Sequence, residues 1–422
     1  MLEMKVFREN PDSIFDDLKR RNAPDEIVRE VIKLDTNWRA LIEKGNGLRA
    51  QRNSISREIG ELKKQGNDTS LVMEKMSGIK DKLAQNESET KEMLELRDQA
   101  RMRVPNILDN NVPIGEDEEG NKEISLHSSK ENIPNPRPHQ EIIEKINGAD
   151  LKRAAKITGR RFYFLTGDLA RLEMALINYA IDYLYQNQYT LTIPPFFMNR
   201  AAYEGVVDLN DFEDVMYKIE DQDFYLIATS EHPLTARFKD EILEINDQPL
   251  KYAGISTNFR KEVGAHGLSD RGIWRVHQFA KVEQVVICKP EKSESMHQEI
   301  LKNAIELFEG LEIPFRVVDI CTGDIGTVAA RKYDLEAWMP ASQQWKEIVS
   351  ASNCKSYQSV RLNMRYRTPE GTEYPHTLNA TAIATTRALA AILENNQQDD
   401  GSVTIPKVLH KWMNGQEKIE AQ

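Results

Sequence analysis

From Ile27 the apolar residues step along the chain by four and three: Ile27, Val31, Leu34, Trp38, Leu41, then Leu48, Ile55, Ile59 and Leu62. Only Gly45 and Arg52 interrupt the series, and charged residues fill many of the intervening positions. A heptad seam of this length predicts a coiled-coil helix. The turn formers Gly66, Asn67 and Asp68 in "KKQGNDTS" break it, and a weaker seam follows through Val72, Met76, Ile79, Leu83, Met93 and Ala100, closed by Pro105. Two such helices would make an antiparallel hairpin, an arm spanning about 26–104 and roughly 50–60 Å long at about 1.5 Å per residue. Arg49, Arg52, Arg57, Lys63, Lys64, Lys75, Lys80 and Lys82 put positive charge near its tip, diluted by Glu58, Glu61, Glu74 and Asp81. A dimerisation coiled coil and an arm that reaches for a large partner both fit this pattern.

Beyond Pro105 the periodicity changes. Residues 106–138 are acidic and turn-rich in "PNILDNNVPIGEDEEGNKE" and stiff in "NIPNPRP", which predicts a linker. From 139 to 422 helical stretches (168–187 and 291–310) alternate with β-branched or aromatic runs. These runs, "DFYLIAT", "LKYAGIST", "IWRVHQFAKVEQVVIC", "PFRVVDIC" and "SVRLNMRYR", predict strands of an α+β domain.

Within "NFRKEVGAHGLSDRGIWRVHQFAKVE" the pattern turns chemical. On a strand, successive side chains face opposite ways. Trp274, Val276, Gln278, Ala280 and Val282 then share a mostly apolar face, while Ile273, Arg275, His277, Phe279, Lys281 and Glu283 share the other; upstream, Arg260 and Glu262 pair in the same way. An Arg fork suits phosphate or carboxylate, an aromatic ring suits a nucleobase, and a buried acid suits an ammonium or hydroxyl group. The row therefore describes a site for a nucleotide and a small amino compound; its competitor is a solvated sheet face carrying cross-strand ion pairs.

The chain of 422 residues has room for two or three domains. Its net charge of −11 argues against sequence-blind coating of nucleic acid, though not against a local basic face. Cys288, Cys321 and Cys354 form no C-x-x-C pair, so neither a zinc site nor a disulfide framework is expected. Glu3 and Glu9 stand where a signal peptide would need an apolar run, and no stretch has the ~18 apolar residues of a membrane helix; a cytoplasmic location is expected. There is no P-loop, so ATP would have to be held some other way. "EKMSGIK" at 74–80 resembles a K-M-S-K-S loop but sits on a predicted coiled-coil helix without an H-I-G-H partner.

"FRKE…RGIWRVHQFAKVE" resembles motif 2 of the class II aminoacyl-tRNA synthetases and, among them, the seryl-tRNA synthetases. "YTLTIPPFF" resembles motif 1 with its signature Pro195, "LIATSEHPL" the T-x-E loop, and "PHTLNATAIATTRALAAILEN" motif 3 ending in Arg387. "TGDIGTVAARKYDLEAWMP…WKEIVSASNC" also resembles the family, and the likeness runs from "FRENPDSI" to about Asn396. Two departures stand out. Gln188 occupies a usual motif 1 glycine position, and Ala380, Thr381, Ala382 and Thr386 replace the glycine- and serine-rich bacterial motif 3, resembling the archaeal and eukaryotic cytosolic variant.

The resemblance implies an antiparallel class II catalytic sheet at 139–422, a tRNA-binding domain at 1–105 with the helical arm, and a homodimer built on motif 1. It implies activation of L-serine with ATP and Mg²⁺ to seryl-adenylate, then transfer to tRNA(Ser), with tRNA(Sec) a further possible acceptor. It assigns catalysis to Arg260, Arg275 and Arg387. ATP falls to Arg260, Lys261, Glu262, Val276, Phe279, Glu347, Ile348, Val349, Ser350 and Arg387, with Mg²⁺ on Glu347 and Ser350. Serine falls to Thr229, Ser230, Glu231, Arg260, Glu283, Asn379 and Thr381. His277 would support the hairpin, and His232 and His376 would sit behind the site. The alternatives are a synthetase-like ligase for another amino acid or acceptor and an inactive paralogue. The long arm counts against a carrier-protein ligase, and the presence of Arg260, Glu283, Glu347 and Arg387 against an inactive chain.

Overall fold

Two short helices, α1 (Met4–Glu9) and α2 (Pro11–Arg20), lead into the two heptad seams, which fold as α3 (Glu26–Lys64) and α4 (Ser70–Met102). The computed structural model describes residues 1–128, 133–208, 214–262 and 272–422. It divides into two units, Met1–Pro105 and Asn106–Gln422.

In the first unit α3 and α4 pack along each other, with Val28, Val31, Val72, Leu83 and Ala100 buried and most other seam residues half-buried, as a two-helix arm allows. Gly45, an interruption in the sequence pattern, is a packing site instead. A Cβ there would lie 2.5 Å from Asn86 Oδ1, and the Asn86 amide donates to the Leu41 carbonyl at 3.1 Å. This close approach sets the register of the two helices. Nearer the chain's start the Asp35 carboxylate is buried; Arg8 grips it through two bonds of 2.7 and 2.8 Å, and Arg97, stacked over Trp38, adds a third at 3.2 Å. The basic residues toward the tip, from Arg49 to Lys82, are exposed.

The second unit is built on an eight-stranded sheet. Its strands, in chain order, are β1 (Lys122–His127), β2 (Thr190–Thr192), β3 (Leu250–Phe259), β4 (Gln278–Cys288), β5 (Phe315–Asp319), β6 (Arg331–Met339), β7 (Gln344–Lys355) and β8 (His376–Ala384). They lie in the order β1-β5-β6-β7-β8-β4-β3-β2, every neighbour antiparallel except β2 on β3. Helices α5 (Gly167–Gln186), α7 (Ser293–Gly310) and α8 (Thr385–Asn395) cover one face. Their buried faces pack with Val282, Val286, Leu335, Ala351, Leu378 and Ala380 from alternate strand positions into one core. The intervening positions point to the other face, where the short helix α6 (Glu231–Ala236) lies.

Several expectations need correcting. The 106–138 stretch is more than a linker: β1 forms a sheet edge, and the Asn106 amide donates to the Val328 and Cys354 carbonyls. "IWRVHQFAKVEQVVIC" is a strand only from Gln278, so the alternation read back to Ile273 fails there: Ile273 is core and Arg275 is exposed. "SVRLNMRYR" ends a helix, Tyr357–Arg361, before a strand at Arg365–Thr368, and "DFYLIAT" holds strand only at Tyr225–Leu226. Strands β6, β7 and β8 were not singled out, because their cleft-facing positions are polar or charged and blunt the β-branched signal. Gln188 has φ 66°, a left-handed backbone for which glycine is the usual residue. The motif 1 departure keeps the conformation while changing the side chain.

The Asp35 knot makes a testable point. Replacing Asp35 by Ala takes an acceptor from the buried Arg97 and from the more exposed Arg8, and should lower stability by about 3 kcal/mol in denaturant unfolding followed by helical circular dichroism. Its partners hold the Asp35 carboxyl below its ordinary value against the opposing effect of burial, so the knot's contribution is present above pH ~4 and lost as pH falls through the depressed value. An unchanged midpoint in the variant would show the knot to be energetically idle.

Candidate active site

On the uncovered face of the sheet opens a cleft of about 420 Å³. Its floor comes from alternate residues of the central strands: Phe279, Lys281 and Glu283 of β4, Asn379 and Thr381 of β8, and Ile348, Ser350, Ser352 and Cys354 of β7. Glu283 pairs across the sheet with Thr381 on one side and Gly254 on the other. Gly254 matters because a Cβ there would meet Ser230 Oγ at 2.5 Å. Its absence lets the loop before α6 seat against β3, with Ser230 donating to the Gly254 carbonyl at 3.2 Å. That seating turns the flanking Thr229 and Glu231 into the cleft.

One end of the cleft is acidic. Burial, reinforced by the nearby Glu283 charge, pushes the Glu231 carboxyl up to about 7, although the Gln358 amide donates to it at 3.0 Å. Lys281 Nζ lies 2.5 Å from Glu283 Oε2, and the Thr381 hydroxyl donates to the same oxygen at 3.3 Å. This pair of carboxylates with a single lysine suits a small cationic group bearing a hydroxyl. Burial also drives the His232 imidazole down to about 3 and raises the Cys354 thiol well above its usual value, so neither is a proton carrier or a nucleophile near neutrality.

The other end carries positive charge and rings. Arg260 lies over Phe279, 5.3 Å from the ring centroid, and its Nε donates to the Ala228 carbonyl at 3.3 Å. Burial, followed by the like charge of Arg387, depresses the Arg260 guanidinium, as expected where two cations await an anion. Arg387, near the Trp274 ring, donates to the Glu347 carboxylate at 2.9 Å and to its carbonyl at 3.0 Å. Burial opposes the Glu347 charge, but Arg387, Lys332 and Arg260 outweigh it and hold the carboxyl below its ordinary value. Ser350 stands across the sheet from buried Asp334, itself pushed up to about 7 by burial.

At the cleft's rim His277 braces the hairpin, its Nδ1 2.8 Å from the Arg260 carbonyl oxygen and 2.9 Å from the Tyr217 hydroxyl. Arg161 Nη1 donates to the carbonyl of Glu262, which takes a left-handed φ of 47°. The connecting segment "GAHGLSD" falls outside the described residues.

Of the site residues expected from sequence, Thr229, Glu231, Arg260, Glu262, Arg275, Val276, Phe279, Glu283, Glu347, Ile348, Ser350, Asn379, Thr381 and Arg387 all line this cleft. Ser230, Lys261 and Val349 do not. Ser230 packs on β3, the Lys261 backbone amide donates to the Val215 carbonyl, and Val349 falls on the core side of β7. The expectation missed Trp274, Lys332 and Ser352, which line the cleft, and Gln358 behind Glu231. Lys281, a member of the alternating row, lines the cleft as well.

Chemically, the donor set fits Mg²⁺, an ion that takes one or two carboxylates and leaves its remaining positions to water and phosphate oxygens. Glu347 offers a carboxylate to the cleft and Ser350 a hydroxyl. Among the described residues no cluster of three or more His, Cys, Asp or Glu could cage a metal without substrate oxygens.

The same chain matches known proteins along nearly all its length. The family model for the seryl-tRNA synthetase N-terminal domain matches residues 1–108, and that for the tRNA synthetase class II core domain (G, H, P, S and T) matches residues 216–396. The serine–tRNA ligase of Methanospirillum hungatei is 49% identical over 99% of this chain and 100% of its own. Among solved structures, seryl-tRNA synthetase from Pyrococcus horikoshii complexed with ATP superposes with a TM-score of 0.95 at 44% identity, covering both chains completely. The cytoplasmic serine–tRNA ligase of Naegleria fowleri in complex with AMP gives 0.90 at 34% identity, covering 100% of this chain and 99% of that one.

The elevated Glu231 carboxyl generates a prediction for the ligand-free chain. Between its unfolded value of 4.5 and its folded value of about 7 the folded state binds more protons, so this residue's contribution to stability falls as pH rises through that window. Glu231→Gln should therefore raise Tm by roughly 2–4 °C at pH 8 and leave it unchanged at pH 5. Equal shifts at both pH values in thermal melts would remove the buried charge as the cause.

Proposed function

The chain belongs to the seryl-tRNA synthetase family and is an aminoacyl-tRNA ligase, and from that premise we propose how its cleft and arm divide the work. A serine carboxylate oxygen attacks the α-phosphorus of ATP and pyrophosphate leaves; a ribose hydroxyl at the tRNA 3′ end then attacks the seryl carbonyl and AMP leaves. The first nucleophile is already ionised, so the step needs no general base and rests on positioning and charge stabilisation. Two neutral, buried side chains, His232 and Cys354, beside a cleft otherwise rich in Arg and Glu support this reading.

Arg260 would bridge the serine carboxylate and the α-phosphate, with Arg275 on the phosphates. Adenine would lie between Phe279 and Arg387, gaining stacking and cation–π attraction, with Glu262 and the Val276 backbone at its edge. Glu347 and Ser350 would hold Mg²⁺, which supplies neutralisation of phosphate charge when bound. Thr229 and Glu231 would take the serine ammonium, Glu283 its hydroxyl, and Asn379 and Thr381 would close the pocket. The single observation that carries the amino-acid end is the buried Lys281–Glu283 pair with the half-buried Glu231 beside it, facing the two-arginine end.

The arm would grip tRNA(Ser) by shape and backbone, the usual way double-stranded RNA is read; its exposed basic residues support this. Acceptance of tRNA(Sec) would follow the same surface. A homodimer through motif 1 is supported by exposed Leu191, Ile193 and Phe197 beside the edge strand β2. No described helix is long and apolar enough to cross a membrane, which agrees with a cytoplasmic enzyme.

ATP–pyrophosphate exchange with each amino acid, without tRNA, should respond to serine alone and require Mg²⁺, and Glu283→Ala should raise the serine KM by about 100-fold. Exchange driven by a different amino acid, or an unmoved KM, would overturn the pocket assignment. Excising residues 46–85 and rejoining α3 to α4 with a short turn should abolish tRNA charging while exchange persists. Equal loss of both would count against the division of labour.

A further inference from the structure

Lys281 is a cleft residue whose position is costly and whose role the reading above leaves open. Its side chain is 7% exposed and its ammonium lies 2.5 Å from Glu283 Oε2, whose own side chain is 3% exposed. Burying two charges together seldom stabilises a fold relative to well-packed apolar residues, so the pair calls for a functional reason. The geometry supplies one. Among the described residues the protein donors to this carboxylate, Lys281 Nζ and Thr381 Oγ1, both reach the same oxygen, Oε2. A carboxylate has two oxygens and about four lone-pair sites, so Oε1 remains to accept from a ligand. The neighbouring groups leave little freedom to rearrange. Lys281 pairs across the sheet with Ser256 and Ala384, Gly254 opposite Glu283 admits Ser230, and Glu231 stands within electrostatic reach of both.

We propose that Lys281 is a specificity-determining positioning residue: by occupying Oε2 it fixes the Glu283 carboxylate with Oε1 toward the bound amino acid, so that the pocket favours one able to donate a hydrogen bond to that oxygen. The inference rests on the assignment of Glu283 to the serine hydroxyl. An ionised carboxylate only accepts, so a ligand without a donor, such as alanine, leaves a buried charge unsatisfied. Without Lys281 no charged donor holds Oε2, and the carboxylate is free to turn away from the ligand. A carboxylate so released no longer presents a fixed acceptor, and the preference for the hydroxyl shrinks.

The experiment is ATP–pyrophosphate exchange with serine and with alanine on the full chain carrying Lys281→Met, Lys281→Arg, Glu283→Gln, and the Met and Gln changes together. Lys281→Met should lower the serine-to-alanine ratio of kcat/KM by about tenfold or more, mainly through the serine KM rather than kcat. Lys281→Arg, which keeps the charge, should recover part of the ratio. In the double variant the charge to be held is gone, so adding Lys281→Met to Glu283→Gln should change the ratio less than about twofold. The double variant leaves no Glu283 charge without its lysine, which keeps the test valid if Lys281→Met alone folds poorly. Additive effects, or an unchanged ratio in Lys281→Met, would overturn the inference. A Glu283→Gln variant with normal serine KM would instead overturn the pocket assignment beneath it.

Discussion

Everything in the second unit depends on β4 being held between β3 and β8 in a fixed register. A strand shows its side chains to alternate faces, so a slip of one residue would exchange the two sets. Val282 and Val286 would then face the cleft, and Lys281 and Glu283 would enter the core beneath α5, α7 and α8. The apolar set makes such a slip prohibitive. The core thus aims the charged residues, and the polar face needs no stabilising logic of its own.

That division explains how neighbouring groups of like charge persist. Glu231 and Glu283 sit close enough to raise the former, and Arg260 and Arg387 close enough to depress the former of that pair. Neither arrangement favours the empty protein. In the proposed reading an ammonium at one end and phosphate at the other would relieve both repulsions, which is how preorganised charge favours binding. The pocket's small partners are fixed from behind in the same spirit, Glu231 by Gln358 and Arg260 by His277.

The sequence was legible where a single physical rule governed a long stretch. The arm followed from heptad spacing, and the row Phe279, Lys281, Glu283 from strand alternation. It was less legible where tertiary context decides. Gly45 reads as a defect in the seam until Asn86 is seen to occupy the space of its missing side chain. Strands β6–β8 carry Lys332, Ser350, Ser352, Asn379 and Thr381 toward the cleft, and those polar positions hide their strand character. Ser230 and Val349 adjoin true cleft residues in sequence but point away, a distinction only the register and the seating of α6 on Gly254 could make.

Cys354 opens onto the end of the cleft that bears Glu231, and burial keeps its thiol protonated far above neutral pH. Oxidants and electrophiles act on thiolates, not thiols. Peroxide or an alkylating agent arriving at this pocket therefore meets an inert sulfur. The binding site can tolerate redox stress that would silence a pocket lined by an activated cysteine, and a covalent inhibitor designed to capture this residue would lack the nucleophile it needs.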